Sequence, residues 1–323
     1  MNAILEIDRL STVFELKVGT IASVNEVSLS LDRGEILGLV GESGSGKSVT
    51  GLSVLGLVSR PGRIAGGRIR LDGQDIVGLG EAEMRAIRGR KVSMIFQDPM
   101  TTLNPVLSIG RQFHEALNAH GRLSWAETQR RGEAALAEVG IPSPRERLRA
   151  YPHELSGGMR QRVCIAISLI NDPDVVIADE PTTALDVTIQ SQILAMMQKV
   201  VAARHMAMIW ITHDLSIVSA LCDRVAVMYG GRIVETGPAD SVLAAPAHPY
   251  TRGLLNSIPT EPYTGRLSQI EGTQPSPLNL PSGCAFRTRC PLAGATCHDI
   301  PPERATGPGR MARCHYPLTE VKP

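Results

Sequence analysis

The sequence predicts an α/β fold on a mostly parallel core sheet, and three observations predict it. A short apolar run, EILGLV (Glu35 to Val40), leads into GESGSGKS and then into helix-compatible VTGLSVLGL. Downstream, the apolar runs VVIADE, MAMIWIT and RVAVMY alternate with VTIQSQILAMMQKVVAARH and LSIVSALC, which suit helices. Such alternation is the pattern of a parallel sheet covered by helices. Between these regions, Ile109 to Leu148 is rich in helix formers, with QFHEALNAHG and WAETQRRGEAALAEVG separated by glycine and small polar residues. That stretch predicts an inserted helical subdomain over about 98–172.

Before the insertion, residues 1 to about 95 read as short strands around one helix, with a turn at LDGQD, and predict an antiparallel β-subdomain beside the core sheet. The 323 residues and 43% hydrophobic content suffice for a large core. Lys plus Arg total 33 against 32 Asp plus Glu, so no global field selects nucleic acid or anionic membrane, and no nucleic-acid partner is expected. The opening MNAILEIDRL carries Glu6 and Asp8 where a secretory signal would be basic and then apolar. No run reaches the roughly 18 uncharged apolar residues of a spanning helix. A soluble cytoplasmic chain is expected, and any membrane role requires separate membrane-embedded partners.

Gly41 to Ser48 fits G-x-x-x-x-G-K-S between a strand and a helix. In that context Gly41, Glu42, Ser43, Gly44, Ser45, Gly46 and the following Val49 turn backbone N–H groups toward a phosphate chain. Lys47 can contact the β- and γ-phosphates, and the Ser48 hydroxyl can ligate Mg²⁺. The plainer alternative is a glycine-rich turn with an exposed lysine. In VVIADE, Asp179 can hold the Mg²⁺ shell, and Glu180 can orient and deprotonate an attacking water; alone, such a pair is usually a solvated strand end. In YPHELSGGMRQR, Ser156 can cap a helix whose N-terminus, with Gly157 and Gly158, forms a second anion site; alone, these residues read as an ordinary capped helix.

In this order the motifs resemble the ATP-binding subunits of ABC transporters across nearly all of the first 240 residues. FQDP with Gln97, LSGGM at Leu155 to Met159, ADE, ALD with Asp186 and ITHD with His213 carry the resemblance. It implies that Gln97 senses Mg²⁺ and water and that His213 contacts the γ-phosphate. Asp186 would lie on the loop connecting the two sites of a paired assembly. Phe14 in STVFEL is the candidate for stacking on adenine, with a buried strand residue as the equal alternative. Met159 replaces the commoner glutamine of the signature and leaves Ser156 and Gly158 in place. The resemblance further implies that the signature serves the other subunit's nucleotide. A second ATPase subunit, identical or homologous, two membrane-spanning permease subunits and, indirectly, an extracytoplasmic substrate-binding protein would then be the partners. The chain would sit peripherally on the cytoplasmic face of the inner membrane.

AHPYTRGLL resembles the C-terminal region of oligopeptide and dipeptide importer ATPases, which divides the chain into a nucleotide-binding domain over 1–258 and an appendage over 259–323. Rising proline and glycine content predicts an extended, loop-rich tail with little regular structure. That tail holds Cys284, Cys290, Cys297 and Cys314, whereas Cys164 and Cys222 sit in apolar helical surroundings and read as core. Disulfides disagree with a reducing compartment, zinc with the C-x₅-C-x₆-C-x₁₆-C spacing, and free thiols remain a further reading. A [4Fe–4S] cluster needs four sulfurs and tolerates varied spacing, and the resemblance, including the terminal CHYP, favours it. ATP, Mg²⁺ and this cluster, with Zn²⁺ as the alternative, are the expected cofactors. The expected function is ATP hydrolysis energising peptide import. A soluble ABC ATPase of DNA repair or translation, or an ATP-using iron–sulfur redox protein, is the rival.

Overall fold

The structure is a computed structural model that describes residues 3–183, 185–258 and 269–318. Its strands are β1 (Ala3–Leu16), β2 (Gly19–Asp32), β3 (Ile36–Val40), β4 (Gly62–Leu71), β5 (Gln74–Asp75), β6 (Val92–Ile95), β7 (Val175–Asp179), β8 (Ala207–Thr212), β9 (Arg224–Tyr229), β10 (Arg232–Pro238), β11 (Glu303–Gly307) and β12 (Arg310–Arg313). The chain folds into two compact units. One comprises Gly78–Trp210 with the short stretches Met1–Ile4 and Asp32–Glu35; the other comprises Leu5–Leu31, Ile36–Val77 and Ile211–Pro323. The division runs through the expected 1–258 domain, and the described tail falls in the second unit.

In the first unit, β6 and β7 pair in parallel, Val92 opposite Val175 through Ile95 opposite Ala178, and β8 follows β7 in the strand order. Every residue of β7 is buried. A strand covered on both faces reads as an unbroken apolar run, which is why VVIAD carries no alternation. The helical insertion is present as Ile109–Asn118, Trp125–Glu138 and Gly157–Leu169. Serines start all three: Ser108, Ser124 and Ser156 accept from the backbone N–H of Arg111, Glu127 and Met159. Phe113, Leu117, Leu136 and Val163 supply buried core on these helices.

In the second unit, β1 and β2 are 14 residues each, longer than the short strands expected. With β4 and β5 they form an antiparallel-type sheet in the order β2–β1–β4–β5. The LDGQD turn closes β4 onto β5 through Asp72 and Gly73, both at positive φ, as a two-residue hairpin requires. The same unit contains β3 parallel to β9, followed by β10, β12 and β11.

The tail, expected to have little regular structure, contains a hairpin. Glu303–Gly307 and Arg310–Arg313 form a hairpin, and β12 joins the edge of β10 with Glu235 opposite Ala312 and Thr236 opposite Met311. Phe286 is 2% exposed and packs on Tyr229 and Tyr250, with ring centroids 5.2 and 5.3 Å apart. The tail thus borrows the core of its own unit. Cys164 is buried, as expected, and Cys222 half-buried; burial pushes both thiols up to about 12.

Candidate functional site

The phosphate loop, Phe14 and His213 lie in the second unit; Gln97, the signature residues, Asp179, Glu180 and Asp186 lie in the first. The loop's glycines are required by its geometry. Gly41 has φ 155° and Gly46 φ 106°, and a Cβ at either would stand 2.2 Å from the Met228 carbonyl oxygen or 2.1 Å from that of Ser23. Gly46 is the N-cap of the helix Lys47–Val54, so Lys47, Ser48 and Val49 occupy its first turn and the helix N-terminus faces the loop. The Lys47 side chain lies back along the loop, where Nζ donates to the carbonyls of Gly41 (2.8 Å) and Glu42 (3.0 Å). Ser43 and Gly44 are exposed, and Ser45 is buried. The loop is a backbone cradle with one ammonium drawn into it, which is the chemistry of polyphosphate binding.

Phe14 lies on β1 opposite Gly62, half-buried. His213 is exposed at the end of β8. Its neighbour Asp214 caps the helix Leu215–Leu221 by accepting from Ser216 N–H, a local reason for the aspartate of ITHD.

In the first unit the structure brings Gln97 and Glu180 together. Gln97 Nε2 donates to Glu180 Oε2 at 3.1 Å, and Thr183 Oγ1 donates to the same oxygen at 3.0 Å. Glu180 has φ 45°, a left-handed conformation rare for glutamate, directly after the buried Asp179 that ends β7. Two donors on one carboxylate oxygen fix its orientation. Ser156 caps its helix with Gly157 exposed beside it, whereas Gly158 lies close to Ile189. Asp186 caps the helix Val187–Arg204, its carboxylate accepting from Ile189 N–H at 2.9 Å.

The four tail cysteines line one small pocket with His248 and Phe286. Burial raises Cys284 and Cys290 and takes Cys314 to about 11, with Cys284, Cys290 and Cys297 raising Cys314 further through their proximity. His248 is fully buried and neutral, its burial lowering it to about 3. Its Nδ1 accepts from Tyr250 N–H, which leaves the ring proton on Nε2, and Nε2 has no partner among the described residues. Four sulfurs and one unanswered buried donor around one pocket fit, in donor type, a thiolate-bound anionic group. Among the described residues no three His, Cys, Asp or Glu side chains are grouped to hold a metal ion, which bears on a cluster and on a single zinc ion alike.

Sequence reasoning missed Thr183, Glu235, Tyr250 and Arg289. Tyr250 accepts the Glu42 backbone N–H in the phosphate loop, and Arg289 pairs with the Glu42 carboxylate. The HPYT segment was the available signal for Tyr250. Arg289 had none beyond lying next to Cys290.

A family profile described as ABC transporter matches residues 24–183, and one described as oligopeptide/dipeptide transporter, C-terminal region, matches residues 234–297. The oligopeptide transport ATP-binding protein OppD of Salmonella typhimurium is 45% identical over 99% of this chain and 96% of its own length. The dipeptide transport ATP-binding protein DppD of Escherichia coli K12 is 43% identical over 99% of this chain and 98% of its own. Among solved structures, cbiO1 of Clostridium perfringens, part of the ABC transporter complex cbiONQ, is 29% identical with a TM-score of 0.64, covering 76% of this chain and 92% of that one. The dimeric, post-hydrolysis ATP-binding cassette MJ0796 bound to ADP and Pi gives a TM-score of 0.66 over 73% of this chain and 98% of that one, at an identity of 24% that shows the fold. The chain is an ABC-type ATPase. It belongs to the family of oligopeptide and dipeptide transporter ATP-binding subunits.

Proposed function

We propose that this chain hydrolyses ATP to drive import of peptides through an ABC transporter. The observation that carries the reading is likeness to oligopeptide and dipeptide transport ATPases along the whole chain, tail included. Among the described residues no helix is long and apolar enough to cross a membrane, so the translocation path must come from other subunits. The assembly we infer has two membrane-spanning permease subunits, a second ATPase subunit and an extracytoplasmic binding protein, with this chain on the cytoplasmic face.

In this reading the loop N–H groups from Gly41 to Ser48 and the Lys47 ammonium hold the ATP phosphates. Ser48, Asp179 and Gln97 would hold Mg²⁺, which neutralises charge developing on the phosphate oxygens. Water attacks the γ-phosphorus, the bond from that phosphorus to the ADP oxygen breaks, and Glu180 takes the water's proton. Gln97 and Thr183 keep the Glu180 carboxylate aimed. His213 contacts the γ-phosphate and Phe14 supports the adenine. Ser156, Gly157 and Gly158 serve the nucleotide of the second cassette, with Asp186 on the connecting loop. ATP-dependent uptake of a labelled peptide by vesicles carrying the assembled transporter tests the reading; assembly on nucleic acid or ribosomes instead would reject it.

We infer further that the cysteine pocket takes a [4Fe–4S] cluster on Cys284, Cys290, Cys297 and Cys314. Four thiols lining one pocket and a His248 N–H without a partner among the described residues support it, and the cluster would act as a cross-link in a segment with little apolar core of its own. Protein purified without oxygen should contain about four iron and four sulfide per chain. Cys290→Ser should remove most of that iron. Iron-free wild-type protein after expression with ample iron would contradict the assignment.

A further inference from the structure

Arg289 of the tail reaches the phosphate loop. Arg289 donates from Nη1 to Glu42 Oε2 at 2.7 Å and from Nη2 to Glu42 Oε1 at 3.0 Å, a two-pronged pair that spans 247 residues of sequence. Its guanidinium is nearly enclosed, with the side chain 5% exposed, while that of Glu42 is 27% exposed. The enclosure is built from named groups: Tyr229 OH accepts from Nη1 at 3.3 Å, the Glu271 carbonyl accepts from Nε at 3.1 Å, and the rings of Tyr229 and Phe286 lie about the guanidinium, their centroids 5.9 and 6.0 Å from its carbon. The bond to Glu42 raises the already high pKa of Arg289, so the cation is permanent.

Glu42 is the second residue of GESGSGKS. Its carbonyl accepts from Lys47 Nζ, its N–H is held by Tyr250 OH at 2.8 Å, and its carboxylate is held by Arg289. Three separate contacts therefore set the first turn of the cradle, and two of them come from the C-terminal region. The carboxylate raises an electrostatic question. A phosphate chain carries several negative charges, and a neighbouring unpaired carboxylate would repel it. Neutralisation by an enclosed guanidinium removes that repulsion, and the bidentate geometry prevents the carboxylate from swinging inward.

We propose that Arg289 is a positioning residue for nucleotide binding, which clamps Glu42, cancels its charge beside the phosphate cradle and makes the cysteine-bearing tail a working part of the ATP site. The inference rests on the reading of this loop as an ATP site. It predicts a coupling between two residues that a purely structural contact would not produce. ATP dissociation constants are to be measured by titration on the full chain for wild type, Arg289→Ala, Arg289→Lys, Glu42→Gln and the Arg289→Ala, Glu42→Gln double variant.

Arg289→Ala should weaken ATP binding by about tenfold, because it leaves a carboxylate uncompensated beside the phosphates. Arg289→Lys should lose less, since it keeps the charge without the fork. Adding Glu42→Gln to Arg289→Ala should recover most of the lost affinity, because the repelling charge is gone. If Arg289→Ala does not fold, Arg289→Lys with and without Glu42→Gln carries the same comparison. ATP affinity within about twofold of wild type in the Arg289 variants, or no recovery on adding Glu42→Gln, would overturn the proposal. Wild type that fails to bind ATP, with Lys47→Ala no weaker, would instead overturn the ATPase reading on which it rests.

Discussion

Glu180→Gln should retain ATP binding and lose between about 10² and 10⁴ of steady-state hydrolysis in the assembled transporter, the range a positioned general base supplies. The amide keeps the shape of the side chain and one acceptor oxygen, so Gln97 and Thr183 retain a partner for their donors. It cannot accept the proton of the attacking water. The left-handed backbone at Glu180 is tolerated by glutamine as by glutamate, so the local fold should not change. A loss confined to kcat, with the ATP dissociation constant near wild type, identifies an interaction made in the transition state. Near-normal turnover would remove Glu180 from the role of base.

Glu235→Ala should lower stability by about 3–5 kcal/mol, the cost of breaking a buried ion pair from one side. Glu235 is fully enclosed, and its carboxylate accepts from the backbone N–H groups of Ala247 (2.7 Å) and His248 (2.8 Å) and from Arg310 Nη2 at 3.4 Å. Alanine removes the acceptor from two buried N–H groups and leaves the enclosed Arg310 guanidinium with only the Ala245 carbonyl among its named partners. The damage should spread locally, since Ala247 and His248 lead into the helix Pro249–Asn256 and Arg310 begins β12. Denaturant unfolding measures the loss, and Glu235→Gln, which keeps an acceptor, should cost less. A change below about 0.5 kcal/mol would show that the network contributes little.

Glu235 also shows where sequence reading stops. In RIVETG it looks like a polar position on a strand, and only the turn at Ala247, 12 residues on, and the arrival of Arg310, 75 residues on, make it the centre of a buried network. The phosphate loop, by contrast, was legible because its constraint is local: glycine spacing, one lysine and a flanking strand and helix. The helical insertion was legible because serine caps and helix formers act within a few residues. The tail hairpin was not, because ERATGPGRMAR is polar and gains its strand conformation by joining β10. Arg289 and Tyr250 belong to the same class. Their partner is the phosphate loop, about 200 residues or more upstream, and no spacing rule connects them. Glu180 was singled out by its place after an apolar strand, yet Thr183, which donates to its carboxylate, was overlooked because a threonine in a turn has no distinguishing pattern.

The central claim is that ATP hydrolysis by this chain drives peptides inward through partner subunits. It is tested most directly by uptake of a labelled oligopeptide into vesicles holding the chain with its permease, second ATPase and binding protein, ATP being supplied on the side where this chain sits. Accumulation that requires ATP, stops with Glu180→Gln and is accompanied by peptide-stimulated phosphate release is the predicted result. Undiminished uptake with Glu180→Gln, or ATP hydrolysis that peptide neither stimulates nor converts into accumulation, would contradict it.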